Sequence, residues 1–440
     1  MRNRHDMYIN YERNYKKHRK KSNPKLFSII LVILLALGLA YLTYRLILAQ
    51  GNPEDNEEQN IPEEVQSDST DKVVQIPTYT PTETIMPSII PTLTPTPVVR
   101  DVVTQSARKS VNVKGIYVTA AVAGSDTIND LIALTDTTEL NAMVIDVKDD
   151  LGRITYAMDS TLVKEIEADT NVIADMKELV KNLKDKGIYL IARIVAFKDP
   201  YLAEKRQELA IKKPDGSLFR DDNGDGWVNP YNKKVWDYLV EVATRAAAIG
   251  FDEIQFDYIR FSTSKGIGDA DFGEEAKTKS KEDIIIEFTK YAYEKIKPLG
   301  VAVSADVYGT IISSSIDSGL VGQNYVEMSK YLDYICPMIY PSHFGEGNYG
   351  IQYPDLEPYH IINKVLNASK TKLDQIPETE HRAVVRPWLQ DFTATWVKKH
   401  MKYGSTEIKE QIRGVYDAGY EEWLLWNAGA NYTVKGLVEE

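Results

Sequence analysis

Three aspartates in this chain sit where acid–base chemistry is best served, each near the C-terminal end of a short apolar run. Asp257 lies in Phe251-Asp252-Glu253-Ile254-Gln255-Phe256-Asp257-Tyr258-Ile259-Arg260-Phe261. Asp306 lies in Ser304-Ala305-Asp306-Val307-Tyr308, and Asp146 in Val144-Ile145-Asp146-Val147-Lys148-Asp149. A carboxyl group on the inner face of a buried strand is costly unless it is paired or used. Two such groups side by side are what cleavage of a glycosidic bond requires. One protonates the leaving oxygen, and the other attacks the anomeric carbon or activates water. Asp257 and Asp306 are the preferred pair, and Asp146 is the third candidate. Ion pairing of these acids with Lys148, Arg193 and Arg260 in a polar layer is the competing expectation for any one of them.

Other strand ends add groups suited to hydroxylated rings. Alternation along a strand offers Asp146 and Lys148 together, then Arg193, Gln255 with Asp257, and Asp306 with Tyr308. Further on come Tyr340 with His343 beyond it, then Arg386, Trp388 and Gln390, and finally Trp426. Aromatic rings stack on sugar faces, and carboxylates and amides bind hydroxyls. Trp227 and Asn229 could reach the same mouth from a loop.

The elements that would carry these residues repeat. Strands are expected at 113–120, 142–148, 188–197, 253–261, 302–308, 334–340, 383–390 and 422–427. Helices are expected between them, for example at 172–186, 233–249, 281–297 and 406–418. Gly187, Gly250, Gly300 and Gly419 each stand where a helix should stop before the next strand. On the fourth strand, Ile254, Phe256 and Tyr258 should face outward and Glu253, Gln255 and Asp257 inward. Eight strands alternating with helices predict an α/β fold, a (β/α)8 TIM barrel with its site at the strands' C-terminal ends. A doubly wound sheet would be expected to carry a Gly-rich phosphate loop after its first strand, and none is present.

Ahead of the barrel the composition changes twice. Residues 1–25 hold nine Lys and Arg against Asp6 and Glu12, a surplus of seven positive charges. The chain as a whole carries −12, so the remainder carries −19. The expected organisation is a basic cytoplasmic tail (1–25), a transmembrane helix (26–48), a disordered Pro/Thr-rich linker (49–111) and the barrel domain (112–440). The apolar run Leu26–Tyr44 is long enough to span a bilayer, and positive charge before it predicts a single pass with the barrel outside the cell. Cleavage as a signal peptide would need a small-x-small site, and Ala49-Gln50-Gly51 is a poor one. An acidic body argues against nucleic acid as a partner. The single cysteine, Cys336, allows no disulfide within the chain.

No cofactor is expected, and zinc has little support: six histidines include no His-x-x-x-His pair. Asp221-Asp222-Asn223-Gly224-Asp225-Gly226 has calcium-loop spacing, but its twelfth position is Asn232 rather than Glu, so a Gly/Asp turn is expected. No Gly-x-Ser-x-Gly elbow appears.

From about Val113 onward the chain resembles the bacterial "putative glycosyl hydrolase domain" family, domain of unknown function 4015. The matching stretches are Lys114-Gly115-Ile116-Tyr117-Val118, Val144–Asp149, Ala192-Arg193-Ile194-Val195-Ala196-Phe197-Lys198-Asp199, Trp227-Val228-Asn229-Pro230-Tyr231, Asp252–Phe261, Pro337-Met338-Ile339-Tyr340-Pro341 and Leu425-Trp426-Asn427-Ala428. The resemblance implies a (β/α)8 barrel acting on carbohydrate. A more distant similarity to family 18 chitinases rests on Phe251–Asp257, Met338-x-Tyr340 and Trp426. Their catalytic Glu falls on Ile259 here, so their substrate-assisted chemistry is not expected. Asp257 is then expected as nucleophile or base and Asp306 as general acid, by analogy with barrels that use acids on the fourth and fifth strands. The whole reads as a membrane-anchored glycoside hydrolase for a cell-wall or surface polysaccharide, with a non-catalytic glycan-binding barrel as the alternative.

Overall fold

The computed structural model of the protein describes residues 111–437. The basic tail, the apolar run and the Pro/Thr-rich stretch lie outside the described residues. Among the described residues, no helix is long and apolar enough to cross a membrane.

One sheet organises the domain. Its strands are β1 (Lys114–Val118), β2 (Ala142–Lys148), β3 (Tyr189–Val195), β4 (Glu253–Asp257), β5 (Ala302–Tyr308), β6 (Tyr334–Met338), β7 (Val384–Val385), β8 (Trp388–Gln390) and β9 (Trp423–Trp426). The spatial order is β5-β4-β3-β2-β1-β9-β8-β6, with β7 also on β6, and a β5–β6 pairing closes the ring. The neighbouring strands of this sheet pair in parallel. β7 and β8 share one barrel position, since both pair with β6. The expected single strand at 383–390 is therefore cut in two at Arg386-Pro387, where proline has no N–H to give the ladder. Eight barrel positions remain.

Helices form where their caps and apolar spacing allow. The helix Lys233–Ile249 starts where Asn232 accepts from the Lys234 N–H and stops at Gly250, whose φ is +112°. It buries Val235, Trp236, Leu239, Val242, Ala243 and Ala246, the three-and-four spacing of one face. The helix expected from 172 begins only at Met176, because the Asp175 side chain accepts from the Glu178 N–H and fixes the start there. Ser280 and Asp283 form a reciprocal capping box at the head of Lys281–Ile296.

Two cores result. A large one lies between sheet and helices. A smaller one fills the barrel, with Val144, Ile191, Cys336, Trp388 and Leu424 among its members. Below it the barrel is plugged by an ionic layer. Arg386 Nη1 donates to both Glu253 oxygens at 2.9 Å, and its Nε donates to Glu422 at 2.7 Å. Ser304 Oγ and Tyr189 Oη also donate to Glu253. Buried charges persist in such a place only when paired like this.

Candidate active site

The inward residues of β4 rise through the barrel in steps. Glu253 belongs to the ionic plug. Gln255, two residues on, donates to Cys336 Sγ at 3.4 Å within the barrel. Asp257, two further, reaches the mouth. There a cavity of about 860 Å³ opens, lined by the ends of β1 to β6, β8 and β9 and the loops after them. That volume lies within the range of small-molecule ligand sites.

Arg193 lies at the floor, 1 % exposed. Its Nε and Nη2 donate to Asp257 Oδ2 at 3.0 and 2.6 Å. Its Nη1 donates to Asp146 Oδ1 at 2.7 Å, and its Nη2 reaches Asp150 at 3.3 Å. Tyr117 Oη donates to the other Asp146 oxygen at 2.7 Å. The Tyr117 ring stacks on Trp426, with centroids 4.1 Å apart and planes 18° apart. Burial, with Asp150 adding to it against the pull of Arg193, raises the Asp146 carboxyl to about 6.

Asp306 has a different setting. Phe256 pairs with Ala305, so Asp257 and Asp306 are the next step along two adjacent strands. Trp388 Nε1 donates to Asp306 Oδ1 at 2.6 Å. Burial drives the Asp306 carboxyl well above its ordinary range, and the nearby Asp257 charge pushes the same way. One acid of the pair is thus tied to a guanidinium, and its neighbour sits desolvated beside an indole.

Ten of the expected residues line the cavity: Asp146, Arg193, Asp257, Arg260, Asp306, Tyr308, Tyr340, His343, Trp388 and Trp426. His343 is held down to about 3 by burial and is therefore neutral. Four expected residues do not line it. Lys148 leaves the inner face because β2 bulges: Asp146 pairs with Arg193, but Lys148 pairs with Ile194. Its ammonium instead meets Asp199 at 2.8 Å and the Val195 carbonyl at 2.6 Å. Gln255 sits below the mouth, and Arg386 belongs to the plug. Gln390 Oε1 accepts from Ser342 Oγ at 2.7 Å and its Nε2 donates to Asp355, so it braces the loops behind the cavity.

Trp227 reaches the mouth, whereas Asn229 turns away to the Phe272 carbonyl. Asp221 spends Oδ1 on the N–H groups of Asn223 and Asp225 and Oδ2 on the Trp227 indole. The Gly/Asp segment is a turn held by its own first residue.

The cavity also contains groups not foreseen: Tyr117, Asp150, Lys198, Tyr258, Phe392 and Trp396. Phe392 and Trp396 stack at 5.9 Å and 20°. The available signal was two rings four positions apart, Phe392 and Trp396, just past the end of the strand expected at 383–390. Tyr258 was expected to face the helices. It lines the mouth instead, because its φ of +50° breaks the alternation of β4.

Among known proteins, the profile of the "putative glycosyl hydrolase domain" family matches residues 115–432. A hypothetical protein from Ruminiclostridium thermocellum is 41% identical over 44% of this chain and 97% of that one, with a TM-score of 0.41. The PgaB (BpsB) glycoside hydrolase domain from Bordetella bronchiseptica is 12% identical, over 74% of this chain and 99% of that one, with a TM-score of 0.53. At that identity the likeness establishes the barrel fold alone. No curated protein matches the chain.

Proposed function

Because the chain belongs to the "putative glycosyl hydrolase domain" family, we propose that it is a glycoside hydrolase acting on a cell-wall or surface polysaccharide, tethered to the membrane by residues 26–48 with its barrel outside the cell. The observation that carries this reading is the unlike treatment of two neighbouring acids. Asp257 is bound to Arg193, and Asp306 is desolvated against Trp388. Unlike environments at two neighbouring carboxyl groups assign one as base or nucleophile and the other as acid.

In this mechanism Asp306 gives its proton to the glycosidic oxygen as the bond from that oxygen to the anomeric carbon breaks. Asp257 attacks that carbon or takes a proton from the water that does. Arg193 orients Asp257 and screens it from Asp146. Trp426, Phe392 and Trp396, each partly exposed in the cavity, supply ring faces for the sugars. No metal or cofactor enters the scheme.

One observation favours a second reading. Both Asp257 oxygens are already engaged, Oδ2 by Arg193 and Oδ1 by the Tyr258 N–H at 2.6 Å. A carboxylate so fully held would also suit a barrel that binds glycans without cutting them. The two readings separate in reducing-sugar release from a panel of wall and capsular polysaccharides. Release by the wild type, lost in Asp257→Asn and Asp306→Asn with circular dichroism unchanged, is expected. Retention of a polymer with no release by any of the three proteins would establish the binder.

A further inference from the structure

β4 ends in a left-handed turn at a residue poorly suited to it. Tyr258 has φ +50°, a region that bulky side chains rarely enter and that is used where surrounding contacts enforce it. Here they do. The carbonyls of Asp257 and Tyr258 accept from the Ala196 and Phe197 N–H groups at 2.7 and 3.2 Å. Beyond the turn, Gln323 Nε2 donates to the carbonyls of Ile259 and Asp306 at 3.3 and 3.2 Å. The Phe261 N–H donates to the Val321 carbonyl at 2.8 Å.

The turn bears on the mouth in two ways. It opens with the Tyr258 N–H donating to Asp257 Oδ1 at 2.6 Å. It also carries the phenol ring from the helix side of the sheet into the cavity, where it packs 5.9 Å from Trp227 with Lys198 and Arg260 at 4.8 and 4.9 Å from its centroid. Ile259 is sent the other way and is fully buried in the outer core.

We propose that Tyr258 is a two-part determinant of the reaction: its main chain positions Asp257, and its ring contacts a pyranose unit of the substrate beside the reacting carboxylates. The inference rests on the hydrolase reading above. Substitutions separate the two parts. Asparagine and glycine accept the left-handed conformation, whereas β-branched valine resists it.

In the full-length protein, Tyr258→Asn and Tyr258→Gly are expected to raise KM about tenfold while kcat stays within about threefold of wild type, the pattern of lost uniform binding. Tyr258→Val is expected to lower kcat by about a hundredfold or more, because it removes an orientation needed in the transition state. A wild-type kcat in Tyr258→Val, or a wild-type KM in Tyr258→Asn, overturns the proposal. So does a kcat in Tyr258→Gly as low as that of Tyr258→Val, since glycine keeps the turn. If the wild type releases no sugar from any polymer, the hydrolase reading fails by itself. Polysaccharide pull-down then reads the ring: weaker retention of Tyr258→Asn supports the contact, and retention equal to wild type overturns it.

Discussion

Asp306 is the residue whose chemistry is most constrained by its surroundings. Burial and the Asp257 charge both hold its proton on, so the proposed acid form persists as pH rises and is lost only once its elevated pKa is passed. kcat/KM should therefore fall on the alkaline side through ionisation of Asp306. A pH–rate profile of Asp306→Asn should lack that limb and should show activity reduced by about 10²-fold or more. An unchanged alkaline limb in the variant would remove Asp306 from the acid role. Asp146 gives a second pH effect. Its folded-state pKa of about 6 lies above the unfolded value of about 3.9. The native state therefore binds the extra proton, and stability from this group falls as pH rises from about 4 to about 6 and is level above that. Denaturant midpoints at the two ends of that window should differ less in Asp146→Asn than in wild type; an equal difference would contradict the assignment. Asp146, Asp257 and Asp306 were legible in the sequence because an acid inside an apolar run stands out against the cost of burying it. Tyr258 was not, because simple alternation places it outside and nothing in its neighbours announces a positive φ.

At the scale of elements, the sequence carries the repeat well and its interruptions poorly. The helix Lys233–Ile249 was legible to the residue, since Asn232 and Gly250 mark both ends. The bulge in β2 was not, because Val147 is an ordinary strand residue and only pairing with β3 reveals the shift. That bulge moves Lys148 from the cavity into a buried pair with Asp199, whose Oδ1 caps the helix Pro200–Lys205. Lys148→Met should therefore destabilise the fold by about 3–5 kcal/mol, the cost of leaving a buried carboxylate unpaired. KM for substrate should not change in the folded fraction. A raised KM with unaltered unfolding midpoint would return Lys148 to the substrate site. Gly250 offers a milder test. Alanine there must hold φ +112° with its Cβ 3.3 Å from Val180 Cγ1, so Gly250→Ala should cost about 1 kcal/mol or more. An unchanged thermal midpoint would contradict this.

For the whole molecule, the barrel followed from counting strand and helix runs, and the ring closes at eight positions as the count requires. Its contents were less legible. Gln255 and Arg386 carry the same polar signature as the residues at the mouth, and depth along the barrel, which decides between plug and site, depends on register rather than composition. The N-terminal run of apolar residues belongs to the same scale. If residues 26–48 anchor the protein, the full chain should stay with membranes through alkaline carbonate extraction, while residues 111–440 should not sediment with them; release of the full chain by carbonate would argue against the anchor. The proposed mechanism requires a proton on Asp306, whose burial and neighbouring Asp257 raise its pKa. Its most direct test is infrared difference spectroscopy of the wild type against Asp306→Asn at pH 7.5. A protonated-carboxyl C=O band is expected in the wild type and should be missing from the variant. Absence of that band from the wild type, or its persistence in the variant, would contradict it.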